Sequence, residues 1–204
     1  MNETKIIIMA KTPVAGMAKT RLIPSIGMEN SGRLAKMLFR HTINEAISSD
    51  IGPIELCVTP SLNSSCWKLF SIPPTVTWSL QREGNLGERL TSVSRKATHD
   101  YSTYVIIGTD CPALTRDILQ SAAHSLHNSD SCLVPVSDGG YSLLGLTKHH
   151  DSLFNNIPWS TNQVYALTEQ RIKSLNWSVT KLKELHDIDI IDDLKWLPKS
   201  WGFN

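Results

Sequence analysis

Lys11, Lys19 and Arg21 stand close together in the run Ala10-Lys-Thr-Pro-Val-Ala-Gly-Met-Ala-Lys-Thr-Arg-Leu22. A turn carrying Pro13 and Gly16 between such side chains can clamp phosphates, lysine acting as a point charge and arginine as a two-pronged donor. The same run can equally be a solvated connector. It is not a Walker loop, which needs Gly directly before Lys-Thr; here Met17 and Ala18 separate Gly16 from Lys19. Nor is it G-x-G-x-x-G, so a dinucleotide fold has no support.

Three acidic segments lie downstream. Asp110 sits in Val105-Ile-Ile-Gly-Thr-Asp-Cys-Pro-Ala-Leu114, just past an apolar run. A carboxylate there can hold Mg²⁺, which takes one or two protein carboxylates and completes its shell with phosphate and water; its alternative role is to cap the next helix. Asp138 begins Asp-Gly-Gly-Tyr141. That sequence suits a hairpin turn, and also a backbone that a ligand approaches closely at Gly139 and Gly140. His186-Asp-Ile-Asp-Ile-Ile-Asp-Asp-Leu194 holds Asp187 and Asp189, one expected to face a metal and the other solvent. Asp192 and Asp193 fit the first turn of a last helix.

Two further segments carry weaker signals. Arg82-Glu-Gly-Asn-Leu-Gly-Glu-Arg-Leu90 is a Gly-rich helix start, with Gly87 and Arg89 able to meet an anion or a base edge. Trp159-Ser160-Thr161 offers a flat apolar ring beside two hydroxyls, a platform for a sugar or an acceptor. His149 and His150 read as surface residues, and His41 as a packed histidine on the apolar side of a helix.

These groups need elements to hold them. The continuous apolar run at 5–10 reads as a strand buried on both faces and 104–108 as another buried strand, with further strands at 54–59, 75–80, 132–136, 141–146 and 178–182. Helical patterns occupy 29–49, 61–70 with Ser61 as cap, 86–101, 115–127, 162–175 and 192 onward. Strands alternating with helices predict an α/β three-layer sandwich around a mostly parallel sheet. Ligands then bind beyond the carboxyl ends of the strands, where Lys11, Asp110 and Asp138 fall. No repeat or linker interrupts residues 1–204, which read as one domain.

The bulk numbers set limits. With 20 basic and 19 acidic residues the net charge is +1, so no general attraction to nucleic acid or anionic lipid is expected. The apolar share, 41%, fits a folded domain. Four cysteines without a C-x-x-C pair suit a reducing compartment, and no run is long enough for a secretory signal or a membrane span. A cytoplasmic location is expected.

Taken in order, Lys11-x-Pro-x-x-Gly16-x-x-Lys-Thr-Arg-Leu22, Gly108-Thr-Asp-Cys-Pro-Ala-Leu114, Asp138-Gly-Gly-Tyr141 and Trp159-Ser-Thr161 resemble a bacterial family of GT-A-fold, glycosyltransferase-like proteins. Some members of that family are associated with arsenosugar biosynthesis. The chain is more distantly similar to the guanylyltransferases of phospholactate and of the molybdenum cofactor. The resemblance, which runs from Lys5 to Leu194, implies a GT-A nucleotide-diphospho-sugar transferase-like sheet. It also implies that Lys11, Gly16, Lys19, Arg21, Gly87 and Arg89 bind nucleotide, and that Asp110 and Asp189 hold Mg²⁺ or Mn²⁺. Asp110 and Asp138 would then be catalytic, Asp138 as a general base or as the second metal ligand in place of Asp189, with Gly139, Gly140, Tyr141, Trp159, Ser160 and Thr161 on the acceptor or sugar side. Asp189 matches the first Asp of the Asp-Thr-Pro-Glu-Asp-Leu segment of related nucleotidyltransferases, with Thr and Pro replaced here. The Gly-Gly pair of their first loop is missing, which favours glycosyl over nucleotidyl transfer. The expected partners are a nucleotide sugar or a nucleoside triphosphate and a small-molecule acceptor. A nucleotide-binding protein without catalysis is the rival from another class.

Overall fold

A computed structural model describes residues 3–203. The first four expected strands form β1 (Lys5–Lys11), β2 (Ile54–Thr59), β3 (Val76–Leu80) and β4 (Tyr104–Ile107). These four pair in parallel, in the order β3-β2-β1-β4. Beyond β4 the sheet continues as β6 (Tyr141–Leu146), β5 (Ser131–Pro135) and β7 (Val179–Lys181). β6 is antiparallel to both β4 and β5, and β7 is parallel to β5, so among the described strands β6 alone runs the other way.

Alternation along each strand divides the core. Ile6, Ile8 and Ala10 of β1 face one side, with Phe39 and Ile43 of α1 (Ile23–Ser49) and Leu119 and Ala122 of α3 (Arg116–Ser125). Ile7 faces the other, with Leu90 and Val93 of α2 (Leu86–Asp100) and Ile172 of α4 (Val164–Ser174). This is the expected three-layer arrangement.

Three helix boundaries differ from the reading of the sequence. α1 begins at Ile23 because Pro24 sits in the first turn, where its missing N–H costs nothing; Gly27, at φ 81°, then kinks the chain before the long run. The 61–70 helix is only a 3-10 turn, Ser65–Leu69, and the Ser61 hydroxyl accepts from the Asn63 N–H instead of capping a helix. The last helix is likewise two 3-10 turns, Ile191–Trp196 and Lys199–Trp201, divided by Pro198. Among the described residues no helix is long and apolar enough to cross a membrane, and all four cysteines are free.

Candidate functional site

β1 connects through α1 to β2 on one side, while β4 lies on its other side. The strand order therefore reverses between β1 and β4, and a crevice opens at their carboxyl ends. A cleft of about 670 Å³ occupies that place, a size suited to a small-molecule ligand.

The basic loop leaves β1 at Lys11 and returns at Leu22, which is fully buried. Gly32, inside α1, lets the loop pack down: a Cβ there would lie 2.9 Å from the Ala15 backbone. Lys11, Lys19 and Arg21 all reach the cleft. Lys11 and Arg21 are exposed, whereas the Lys19 side chain is 6% exposed. Its Nζ donates to Asp110 Oδ1 at 2.5 Å and to Asp189 Oδ1 at 3.0 Å. Arg21 Nη1 reaches Asp189 Oδ2 at 3.4 Å. Burial lowers the affinity of the Lys19 amine for its proton, but Asp110 and Asp189 outweigh it and hold the ammonium above the usual lysine value. Lys19, expected on phosphate, is thus tied to the two carboxylates expected on metal.

Asp110 caps no helix. Thr115 takes the first position of α3, and the Arg116 N–H is satisfied by Glu45. Asp110 instead joins the C-terminal segment to the sheet through the Ile188 N–H, which donates to its carbonyl at 2.9 Å. Ile188 is fully buried, and the residues on either side of it, Asp187 and Asp189, both line the cleft. The expectation that one would face solvent is corrected here. Residues two apart in an extended segment share a face, so a buried Ile188 turns both carboxylates the same way. Asp187 was missed as a site residue, and that spacing was the available signal. Burial, followed by Asp138 and Asp189, raises its carboxyl to about 7.

Asp138 also lines the cleft, and its Oδ1 accepts from the Gly140 N–H at 2.7 Å. Asp-Gly-Gly thus forms the expected hairpin turn, and Asp138 faces the cleft from it. Gly140, Tyr141, Trp159, Ser160 and Thr161 line the same end. Gly139 does not. A Cβ there would lie 2.5 Å from the Asn162 Cα, and φ is +89°, so its role is to let the 159–162 segment close over the hairpin.

Arg89 reaches the cleft, held by Gly84 O at 2.9 Å and Gln81 Oε1 at 3.4 Å. Gln81, a second omission, is buried and spends its amide on Ala10 O and Cys57 O. Gly16 and Gly87 stand outside the cleft. At Gly87 a Cβ would meet Phe154 O at 2.5 Å and Trp159 Nε1 at 2.8 Å, so this glycine seats the tryptophan.

Among the described residues no three of His, Cys, Asp and Glu converge as a ready metal-ligand set. The donor chemistry nevertheless fits a hard divalent cation: four carboxylates face one cleft, and two of them already share a positive charge in Lys19.

The histidine reading needs one correction. His149, expected at the surface, has a side chain only 13% exposed and joins Ser94 Oγ (2.8 Å) to Asp151 Oδ1 (2.7 Å). The order Ser–His–Asp mimics a hydrolase triad, but Ser94 is 0% exposed and its Oγ also meets the Tyr104 hydroxyl at 2.7 Å. No substrate reaches it, and the chain of bonds braces α2 on the sheet. His41 is packed as expected, its Nε2 2.8 Å from Pro112 O and its ring edge-on to Trp201.

The chain is similar to a solved structure from Desulfovibrio desulfuricans G20 described as a "putative nucleotide-diphospho-sugar transferase". Identity is 27% over 99% of this chain and 89% of that one, with a TM-score of 0.85. It also resembles CMP:2-keto-3-deoxy-manno-octonic acid synthetase complexed with CTP (9%, 95% and 96% covered, TM-score 0.61) and Rv0371c from Mycobacterium tuberculosis H37Rv in complex with manganese (14%, 98% and 100%, TM-score 0.57). At those identities the last two speak for the fold alone. The fold is that of the nucleotide-diphospho-sugar transferases. Within it, the chain belongs to the family described as "Uncharacterized protein conserved in bacteria (DUF2064)", whose profile matches residues 42–161 and so takes in Asp110, Asp138 and Trp159–Thr161. No curated protein matches the chain significantly.

Proposed function

We propose that the chain is a divalent-cation-dependent glycosyltransferase acting on a nucleoside-diphospho-sugar. The observation that carries this reading is the convergence of Lys11, Lys19 and Arg21 with Asp110, Asp138, Asp187 and Asp189 at the β1/β4 switch point. Cations beside carboxylates suit a ligand that is itself a polyphosphate with a bound metal. Asp110 and Asp189 would hold Mg²⁺ or Mn²⁺, which when bound neutralises charge on a departing diphosphate. The transferase class is further supported by the 27% identical relative described as a "putative nucleotide-diphospho-sugar transferase".

The protein's own groups divide the work. Lys11 and Arg21 are exposed donors for the diphosphate. Arg89, steadied by Gln81 and Gly84, presents its remaining N–H groups toward the nucleoside end. Trp159 and Tyr141 supply an apolar wall at the Asp138 end of the cleft, against which a sugar or acceptor would stack. Asp138 keeps Oδ1 on Gly140. Its Oδ2 is the oxygen to take a proton from an acceptor hydroxyl as that oxygen attacks the anomeric carbon and nucleoside diphosphate leaves.

A second reading is nucleotidyl transfer, because the same cations and carboxylates would serve a metal-bound nucleoside triphosphate. In that reaction a phosphorylated acceptor would attack the α-phosphorus of the triphosphate and pyrophosphate would leave. One experiment separates the two: incubate the protein and Mg²⁺ with nucleotide sugars or with triphosphates, each beside a panel of small acceptors, and identify the leaving group. Nucleoside diphosphate supports glycosyl transfer. Pyrophosphate released only with an acceptor phosphate overturns it.

A further inference from the structure

The place of Lys19 has a consequence for what the cleft accepts. Its ammonium lies between Asp110 and Asp189, at 2.5 and 3.0 Å, with the side chain 6% exposed. The backbone behind it is fixed: Lys19 is left-handed at φ 52°, its carbonyl accepts the Leu22 N–H at 3.0 Å, and Leu22 is fully buried. Only the four-carbon stem is free to move.

A cation arriving alone at Asp110 and Asp189 must expel this ammonium. The ammonium then loses two charge-assisted hydrogen bonds and stays beside a dication in a partly desolvated cleft. A cation arriving on a polyphosphate brings new acceptors with it. Lys19 can pass from carboxylate to phosphate oxygen while the metal takes the carboxylates, and every charge remains paired. Arg21, already 3.4 Å from Asp189 Oδ2, can follow the same exchange.

We infer that Lys19 makes this cleft selective for a divalent cation chelated by a polyphosphate, and disfavours the free cation. The inference rests on the metal–diphosphate reading of the site. It assigns Lys19 two opposed effects, as competitor toward bare metal and as contact toward the complex.

Mn²⁺ binding, read from the loss of the free-ion resonance signal, tests it without any assay of turnover. The wild type and Lys19→Met are titrated with Mn²⁺ alone and with Mn²⁺ plus each of ADP, CDP, GDP and UDP. The expected result is a crossing: Lys19→Met binds Mn²⁺ alone about tenfold more tightly, and Mn²⁺ with its preferred diphosphate about tenfold more weakly, the scale of one charge-assisted hydrogen bond. Equal or weaker binding of bare Mn²⁺ by Lys19→Met overturns the role given to Lys19, even if the complex binds normally. Absence of Mn²⁺ binding in every form, by both proteins, overturns the metal–diphosphate reading itself. The wild type supplies a check that needs no variant. Its retention of Mn²⁺ should rise at least about tenfold with the preferred diphosphate present, beyond what that diphosphate chelates in solution. Unchanged retention overturns the inference.

Discussion

Asp187 and Gly139 show what a single residue decides in this site. Asp187 is one of four carboxylates around the cleft, and its spacing from Asp189 already placed both on one face. Gly139 looked like a point of ligand approach and proved to be a seat for the 159–162 backbone. Gly139→Ala should therefore destabilise the protein by about 2–4 kcal/mol, because a Cβ would strike main chain and the φ is left-handed; thermal unfolding measures it, and a loss below about 1 kcal/mol would refute the contact. Ser94→Ala should lower stability by about 1 kcal/mol, since Tyr104 and His149 each lose a partner. It should leave any background hydrolysis of p-nitrophenyl acetate unchanged, because Ser94 is shut away from solvent.

At the level of elements, β1 and β4 were readable because burial on both faces leaves continuous apolar runs, Ile6–Ile8 and Val105–Ile107. The residues that follow those strands, Lys11 and Asp110, were readable for the same reason. The 3-10 turns were not, since a short apolar period looks alike in a helix and in a short turn such as Ser65–Leu69 or the one that Pro198 stops. Gln81 was missed because a glutamine at a strand end carries no pattern; only the packed fold shows it bridging Ala10, Cys57 and Arg89. The far edge of the sheet depends on one acid. Asp130 accepts from Lys148 Nζ at 2.5 Å and from the Ser178 N–H at 2.9 Å, tying the start of β5 to the chain after β6 and before β7. Those contacts, Lys148 first, hold its carboxyl down to about 2. A depressed acid stabilises the folded state above its ordinary value of 3.8, and that stability is lost as pH falls toward 2. Asp130→Asn should cost about 1 kcal/mol at neutral pH, with the two proteins converging near pH 2, as urea unfolding at stepped pH would show. A constant gap down to pH 2 would contradict this.

Over the whole molecule, one strand-order reversal gathers residues from both ends of the sequence, and Lys19 meets Asp189 across 170 positions. If the cleft binds a metal–nucleotide complex, that ligand at about 100 times its dissociation constant should add about 2.7 kcal/mol, or about 5–10 °C in Tm for a chain this long. A thermal-shift series over nucleotides and nucleotide sugars, with Mg²⁺ and without, measures it. No shift with any of them would count against the proposed function.

The reversed strand β6 leaves a last consequence. Because it runs against its neighbours, it delivers its first residue, Tyr141, to the same rim where β1 and β4 deliver their last. The cleft thus has two walls with separate supports: a cationic one hung from β1, and an aromatic one hung from the hairpin and the 159–162 segment. Such a layout is modular. Under the proposed function, sequence drift confined to the hairpin and that segment would retune which molecule receives the transferred group, while the polyphosphate grip would stay as it was.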